Sequence, residues 1–135
     1  MISLIYAGNE KGKCHEVFQN VEQLLSKYEY RKFNLQNDKN ELNELTCGYH
    51  TEMSDYQIKS IDTLNQSELL IFIYPLYWLN VPMILKGFID MTFWPEHAFS
   101  FKKKQYFKNG LWKDKKAIII YTLGGANGSI YYRVG

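Results

Sequence analysis

The chain has 135 residues, of which 46% are hydrophobic, 22% charged and 16% aromatic, and its formal net charge is +2. That length suits one domain, residues 1–135, able to bury a core, and the composition is ordinary for a globular protein. The small charge argues against a nucleic-acid partner, no apolar run approaches the ~20 residues of a membrane span, and the two cysteines, Cys14 and Cys47, are too few for a disulfide framework. Met1 leads straight into Ile2-Ser-Leu-Ile-Tyr6 without a basic head, so no secretory leader is read and a cytoplasmic protein is expected.

Ile2 to Ala7 is a short apolar run and reads as a first strand. Gly8-Asn-Glu-Lys-Gly-Lys13 is a glycine-containing loop, after which Val17, Val21, Leu24, Leu25 and Tyr28 recur at helical spacing. Tyr30 to Leu35 predicts a more polar strand near a sheet edge. Residues 36–53 are polar and weakly patterned, with at most a helical turn near Glu41 to Leu45. Ser54-Asp-Tyr-Gln57 is a Ser-x-x-Gln capping box opening a helix with apolar positions Ile58, Ile61 and Leu64.

Leu69 to Tyr74 follows as six apolar residues without interruption, the pattern of a strand covered on both faces. Pro75 ends it, having no N–H for a ladder, and Pro82 suits the first turn of a helix that presents Ile84, Leu85, Phe88 and Ile89 as one stripe. Residues 94–115 form a long aromatic and basic connection. Lys116 to Tyr121 predicts another strand, and Thr122-Leu-Gly-Gly-Ala-Asn-Gly-Ser129 a glycine-rich turn. The order β-α-β-α-β-α-β builds a parallel sheet with helices on both faces and right-handed crossovers. In such folds ligands bind outside the carboxyl ends of the strands, which directs attention to the loops after Ala7, Tyr74 and Tyr121.

Each loop carries two readings. The first precedes a helix, whose amino terminus can hold an anion, yet it lacks the Gly-Lys-Ser/Thr ending of a phosphate-binding Walker loop; a phosphate site and a plain turn stay open. The second offers Leu76, Tyr77, Trp78 and Leu79, either edging a planar heterocycle or plugging a gap between helix and sheet. The third has Gly124-Gly125, which permits close backbone approach to a ligand or makes a tight turn, with Tyr131 or Tyr132 beyond as a phenolic donor. The pairs Cys14-His15 and Cys47…His50 do not compose a four-ligand zinc set, so no metal is expected. His97 reads as a proton donor or a surface residue, and Lys102-Lys103-Lys104 with Lys108 as a solvated face or a phosphate attractor.

Pro75-Leu-Tyr-Trp-Leu-Asn-Val-Pro-Met-Ile-Leu-Lys-Gly-Phe-Ile-Asp90, with Phe99-Ser-Phe101, Gly110-Leu-Trp-Lys-Asp-Lys-Lys-Ala117 and Thr122-Leu-Gly-Gly125, resembles the flavodoxin-like NAD(P)H:quinone oxidoreductases. The resemblance implies a flavodoxin-like open parallel sheet, a flavin (FMN or FAD) at the carboxyl edge, NAD(P)H as co-substrate, a quinone-like acceptor and a homodimer without membrane insertion. It implies ping-pong hydride transfer, in which the protein orients and tunes a cofactor that carries the reaction. By position, Pro75, Leu76, Tyr77, Trp78 and Leu79 would line the isoalloxazine, with backbone donors near its polar edge. Thr122, Gly124 and Gly125 would approach its pyrimidine side, and Tyr131 would be the active-site tyrosine. Asn9, Lys11 and Lys13 stand where the family offers Ser/Thr hydroxyls to the flavin phosphate. The family continues with a further helix, strand and helix, so the chain reads as shortened, with an exposed fourth strand and a tendency to self-associate. A flavin-binding regulatory subunit of a membrane transporter and a vestigial domain without flavin are the alternatives.

Overall fold

A computed structural model describes residues 1–102 and 110–124 and the backbone of residues 130–134. In chain order the elements are β1 (Ile2–Tyr6), α1 (Lys13–Leu25), β2 (Tyr30–Asn34), α2 (Asp55–Gln66), β3 (Leu69–Pro75), α3 (Met83–Thr92), β4 (Lys116–Thr122) and β5 (Ile130–Val134), with 3-10 turns at Lys39–Glu41 and Gly48–His50. The sheet order is β2-β1-β3-β4-β5. β1 to β4 run parallel: Ile2 lies opposite Tyr30 on one side and Leu69 on the other, and Leu69 lies opposite Lys116. The polar β2 is at an edge, as its sequence predicts.

Period-two alternation sends the central strands' side chains into two layers. Leu4, Tyr6, Ile71, Ile73 and Ile120 pack with Val17, Phe18 and Leu25 of α1. Ile5, Ala7, Leu70, Phe72 and Tyr74 pack on the other face with Leu64 of α2 and Leu85 and Phe88 of α3. Helices therefore cover both faces, which is why β3 is apolar at every interior position. β4 is apolar too, yet Ile119 stays 37% exposed.

Three helical details differ from the sequence reading. α1 ends at Leu25, with Leu24 and Tyr28 exposed, because its buried side is Cys14, Val17, Phe18 and Leu25. Phe18 sets that rotation by stacking on Tyr6 with ring centroids 4.2 Å apart. In α2, Ile58 faces solvent while Gln57 and Ser60 are buried. Ser54 Oγ accepts from the Gln57 backbone N–H at 3.2 Å, the first half of the capping box. The Gln57 side chain does not return the bond: its Nε2 donates to the Met91 carbonyl at 2.7 Å and joins α2 to α3.

The larger correction concerns β4. The sequence predicts a bare outer edge for it, but β5 pairs with it antiparallel, from Ile118 opposite Val134 to Thr122 opposite Ile130. Ile130-Tyr-Tyr-Arg-Val134 is rich in the β-branched and aromatic residues that favour strands. The strand at that edge of the sheet is therefore β5 and not β4. No helix among the described residues is long and apolar enough to cross a membrane.

Candidate functional site

Parallel register brings the three loops to one rim. The Ala7 N–H donates to the Ile73 carbonyl and the Leu76 N–H to the Thr122 carbonyl, both at 2.9 Å, so β1, β3 and β4 are still joined where their loops begin. The loops of Gly8, Leu76 and Leu123 leave the sheet side by side.

The first loop ends at Gly12, which takes φ = 103° with nothing within 4 Å of an added Cβ; its conformation, not crowding, calls for glycine there. No side chain caps the amino end of α1. Its first-turn N–H groups and the helix dipole are open to an anion. Lys11 and Lys13 are exposed beside that end, and Lys13 Nζ also meets Glu16 Oε2 at 2.9 Å. Asn9 receives two hydrogen bonds, from the Tyr6 phenol on its carbonyl at 2.5 Å and from the Tyr77 phenol on Oδ1 at 3.4 Å.

The second loop is a two-residue hairpin. Tyr77 and Asn80 exchange both backbone hydrogen bonds at 3.0 Å, and the two residues between them, Trp78 and Leu79, have φ of 53° and 59°. Positive φ at both central positions marks a type I′ turn, normally built from Asn and Gly. Bulky side chains in this region cost about 1–3 kcal/mol each and concentrate at functional sites. Neither side chain recovers that cost by packing: Trp78 is 100% exposed and Leu79 89%. The reading of Trp78 as a plug between helix and sheet is therefore overturned. The backbone donors expected near a ligand are also fewer than anticipated. Leu76 N–H is bonded to Thr122, Tyr77 N–H to Asn80, and Val81 N–H to Asn80 Oδ1 at 2.8 Å. The N–H groups of Trp78 and Leu79 remain at the tip.

In the third loop Gly124 is exposed, with nothing within 4 Å of where a Cβ would stand. Gly125 lies outside the described residues, as do Lys103, Lys104 and Lys108. Tyr131 falls on β5 opposite Tyr121, in a strand for which the sequence reading assigns no element. His97 is not at this rim. Its Nδ1 meets Asn65 Nδ2 at 2.9 Å, at the carboxyl end of α2, and Trp112 Nε1 donates to Asn65 Oδ1 at 2.9 Å. That cluster borders a cleft of about 350 Å³ at the amino edge of the sheet, with Lys115 donating to the Asn65 carbonyl at 2.8 Å. Burial lowers the Lys115 ammonium's affinity for its proton.

A structural device that the sequence does not announce is the buried Tyr6. It is 1% exposed and fills the space beneath Gly8: a Cβ there would meet Tyr6 Oη at 2.5 Å and Cε2 and Cζ at 2.6 Å. Gly8→Ala is thus expected to lose about 1–3 kcal/mol through overpacking, read as a lower urea midpoint; an unchanged midpoint would show that the ring moves freely.

Burial pushes the phenols of Tyr6, Tyr56 and Tyr74 upward, with Asp38, 2.9 Å from the Tyr56 hydroxyl, adding to the shift there. Their folded values lie above the ordinary tyrosine value of ~10, so the fold holds more protons than the unfolded chain in alkali. Their contribution is complete below pH ~10 and is lost as pH rises past it. Urea midpoints should fall between pH 8 and pH 11; equal midpoints would contradict these placements.

A model of the flavodoxin-like fold family matches residues 2–132. The chain belongs to that family. This flavodoxin-like chain is 36% identical over 72 residues to ribosyldihydronicotinamide dehydrogenase (quinone) of Rattus norvegicus, a stretch covering 53% of the chain and 30% of the relative. It is 36% identical over 64 residues to the FMN-dependent NADH:quinone oxidoreductase of Beijerinckia indica, covering 47% of the chain and 31% of that protein. The matches thus span about a third of the length of these curated relatives. Among solved structures, Smu.1420 from Streptococcus mutans superposes with a TM-score of 0.70 at 26% identity, over 89% of this chain and 66% of that one.

Proposed function

We propose that this chain binds a flavin at the carboxyl edge of its sheet and passes reducing equivalents from NAD(P)H to a quinone or similar small acceptor. The observation that carries the reading is the second loop: a fully exposed Trp78 held on a strained type I′ turn, on the same rim as the uncapped end of α1. The names of the Rattus and Beijerinckia relatives support quinone as acceptor, and the latter supports FMN, with FAD as the alternative flavin.

The residues present fit such a group. Lys11, Lys13 and the first N–H groups of α1 would hold its phosphate, with Asn9 shaping the loop. Leu76, Tyr77, Trp78 and Leu79, placed by the chain reversal after Pro75, would lie along the isoalloxazine. The free N–H groups of Trp78 and Leu79 would face its polar edge, each hydrogen bond to a charged form contributing ~1.5–3 kcal/mol. Thr122, Gly124 and Gly125 would approach the pyrimidine side, and Tyr131 would donate a proton or hydrogen bond. When bound, flavin supplies the two-electron chemistry. The working protein is placed in the cytoplasm, in keeping with its free cysteines, and as a homodimer.

The test is optical. The purified protein should turn yellow with FMN or FAD, bleach anaerobically with NADH or NADPH, and regain colour on adding benzoquinone. Bleaching without reoxidation by quinone would favour a regulatory flavoprotein, and no flavin uptake at saturating concentration would overturn the proposal.

A further inference from the structure

The first loop is held from beneath. Among the described residues, the two hydrogen bonds that reach residues 8–11 both end on Asn9, one from Tyr6 and one from Tyr77. Tyr6 belongs to β1 and is locked by its stack on Phe18, with an interplanar angle of 8°. Its ring shares the core beneath α1 with Cys14. Cys14 is 8% exposed, and burial pushes its thiol upward. The bonds from Tyr6 and Tyr77 to Asn9 thus tie the first loop to β1 beneath it and to the second loop beside it.

A phenol at the end of a buried strand is an unusual way to fix a surface loop. A leucine or valine would fill the same layer without reaching the loop at all. What the hydroxyl adds is a donor aimed at one carbonyl, that of Asn9, from a position the core does not allow to shift. Gly8 completes the device, since only a residue without Cβ leaves room for the ring's outer end.

We infer that Tyr6 is a positioning residue, whose buried hydroxyl straps the β1–α1 loop to the core beneath it, through the Asn9 carbonyl, in the conformation that receives the flavin. The inference rests on the flavin reading of this rim for its consequence, but not for the strap itself. Tyr6 touches no ligand; it acts through Asn9.

Tyr6→Phe is the variant of choice, because the ring stack on Phe18 survives and only the hydroxyl is lost. Two readouts are needed: amide hydrogen exchange of residues 9–13 without flavin, and FMN affinity by fluorescence titration. The strap predicts exchange at least tenfold faster than in the parent protein and an FMN Kd about tenfold higher, with the exchange of β1 and β3 amides unchanged. Unchanged exchange at residues 9–13, or an unchanged FMN Kd beside faster exchange, would overturn the positioning role. If the parent protein takes up no FMN, the flavin reading fails, and exchange alone decides: faster exchange upholds the strap, unchanged exchange removes it. Should Tyr6→Phe fail to fold, Gly8→Ala drives a methyl into the Tyr6 hydroxyl and displaces it from Asn9, with the same two results expected and the same two overturning.

Discussion

Replacing Trp78 with glycine should weaken FMN binding about fivefold while raising the melting temperature. The two effects separate because Trp78 has φ = 53° and is 100% exposed. The left-handed backbone costs a bulky residue about 1–3 kcal/mol that glycine does not incur, and the glycine's greater freedom in the unfolded chain returns roughly 0.5–1 kcal/mol of that gain. A net gain of about 1 kcal/mol corresponds to roughly 3 °C for a domain of this size. No folding contact is lost in exchange. The ring contact with isoalloxazine should contribute about 0.5–1.5 kcal/mol, and 1.4 kcal/mol is a factor of ten in Kd. Differential scanning fluorimetry and an FMN titration of the same preparation read both. A lower melting temperature would mean that Trp78 packs in the free protein; an unchanged Kd would remove it from the site.

Phe88→Ala should have the largest effect on stability. Phe88 is 0% exposed, tilts against Phe33 at a centroid distance of 5.1 Å, and sits where α3 meets the sheet. Truncating a buried phenylalanine costs about 3–5 kcal/mol through lost transfer energy and the cavity left behind. Against the roughly 5–15 kcal/mol typical of a domain, that is about a fifth or more of the total. α3 begins one residue after Pro82 and so anchors the far side of the strained turn. The variant should therefore bind FMN less tightly at temperatures where it remains folded. A urea-derived loss below about 1.5 kcal/mol would show that α3 packs elsewhere.

The layering of the sheet is legible in the sequence because it follows from local pattern: apolar runs at Ile2–Ala7 and Leu69–Tyr74, each followed by a helical stripe. Helix rotation is less so. Ile58 and Leu24 fit a 3.6-residue period, but the faces actually buried are chosen by Gln57 reaching Met91 and Phe18 stacking on Tyr6, contacts between residues distant in the chain. β5 escapes a sequence reading because its short pattern follows a glycine-rich stretch that looks like the end of the fold. At the rim, the loops and their glycines can be read from the sequence, but the type I′ turn cannot. Trp78-Leu79 carries none of the Asn-Gly chemistry that announces such a turn, and the conflict between residue and conformation shows only in the dihedral angles. Tyr6 is hidden for a related reason: an aromatic residue in an apolar strand looks like core, and its hydroxyl has meaning only beside Asn9.

The most direct test is a two-dimensional amide NMR titration of the protein with FMN. Shifts concentrated at residues 9–13, 76–80 and 122–124, with His97, Trp112 and Lys115 at the opposite edge undisturbed, are the expected result. Shifts confined to the amino-edge cleft, or none at saturating FMN, would contradict a flavin held between loops at the carboxyl rim.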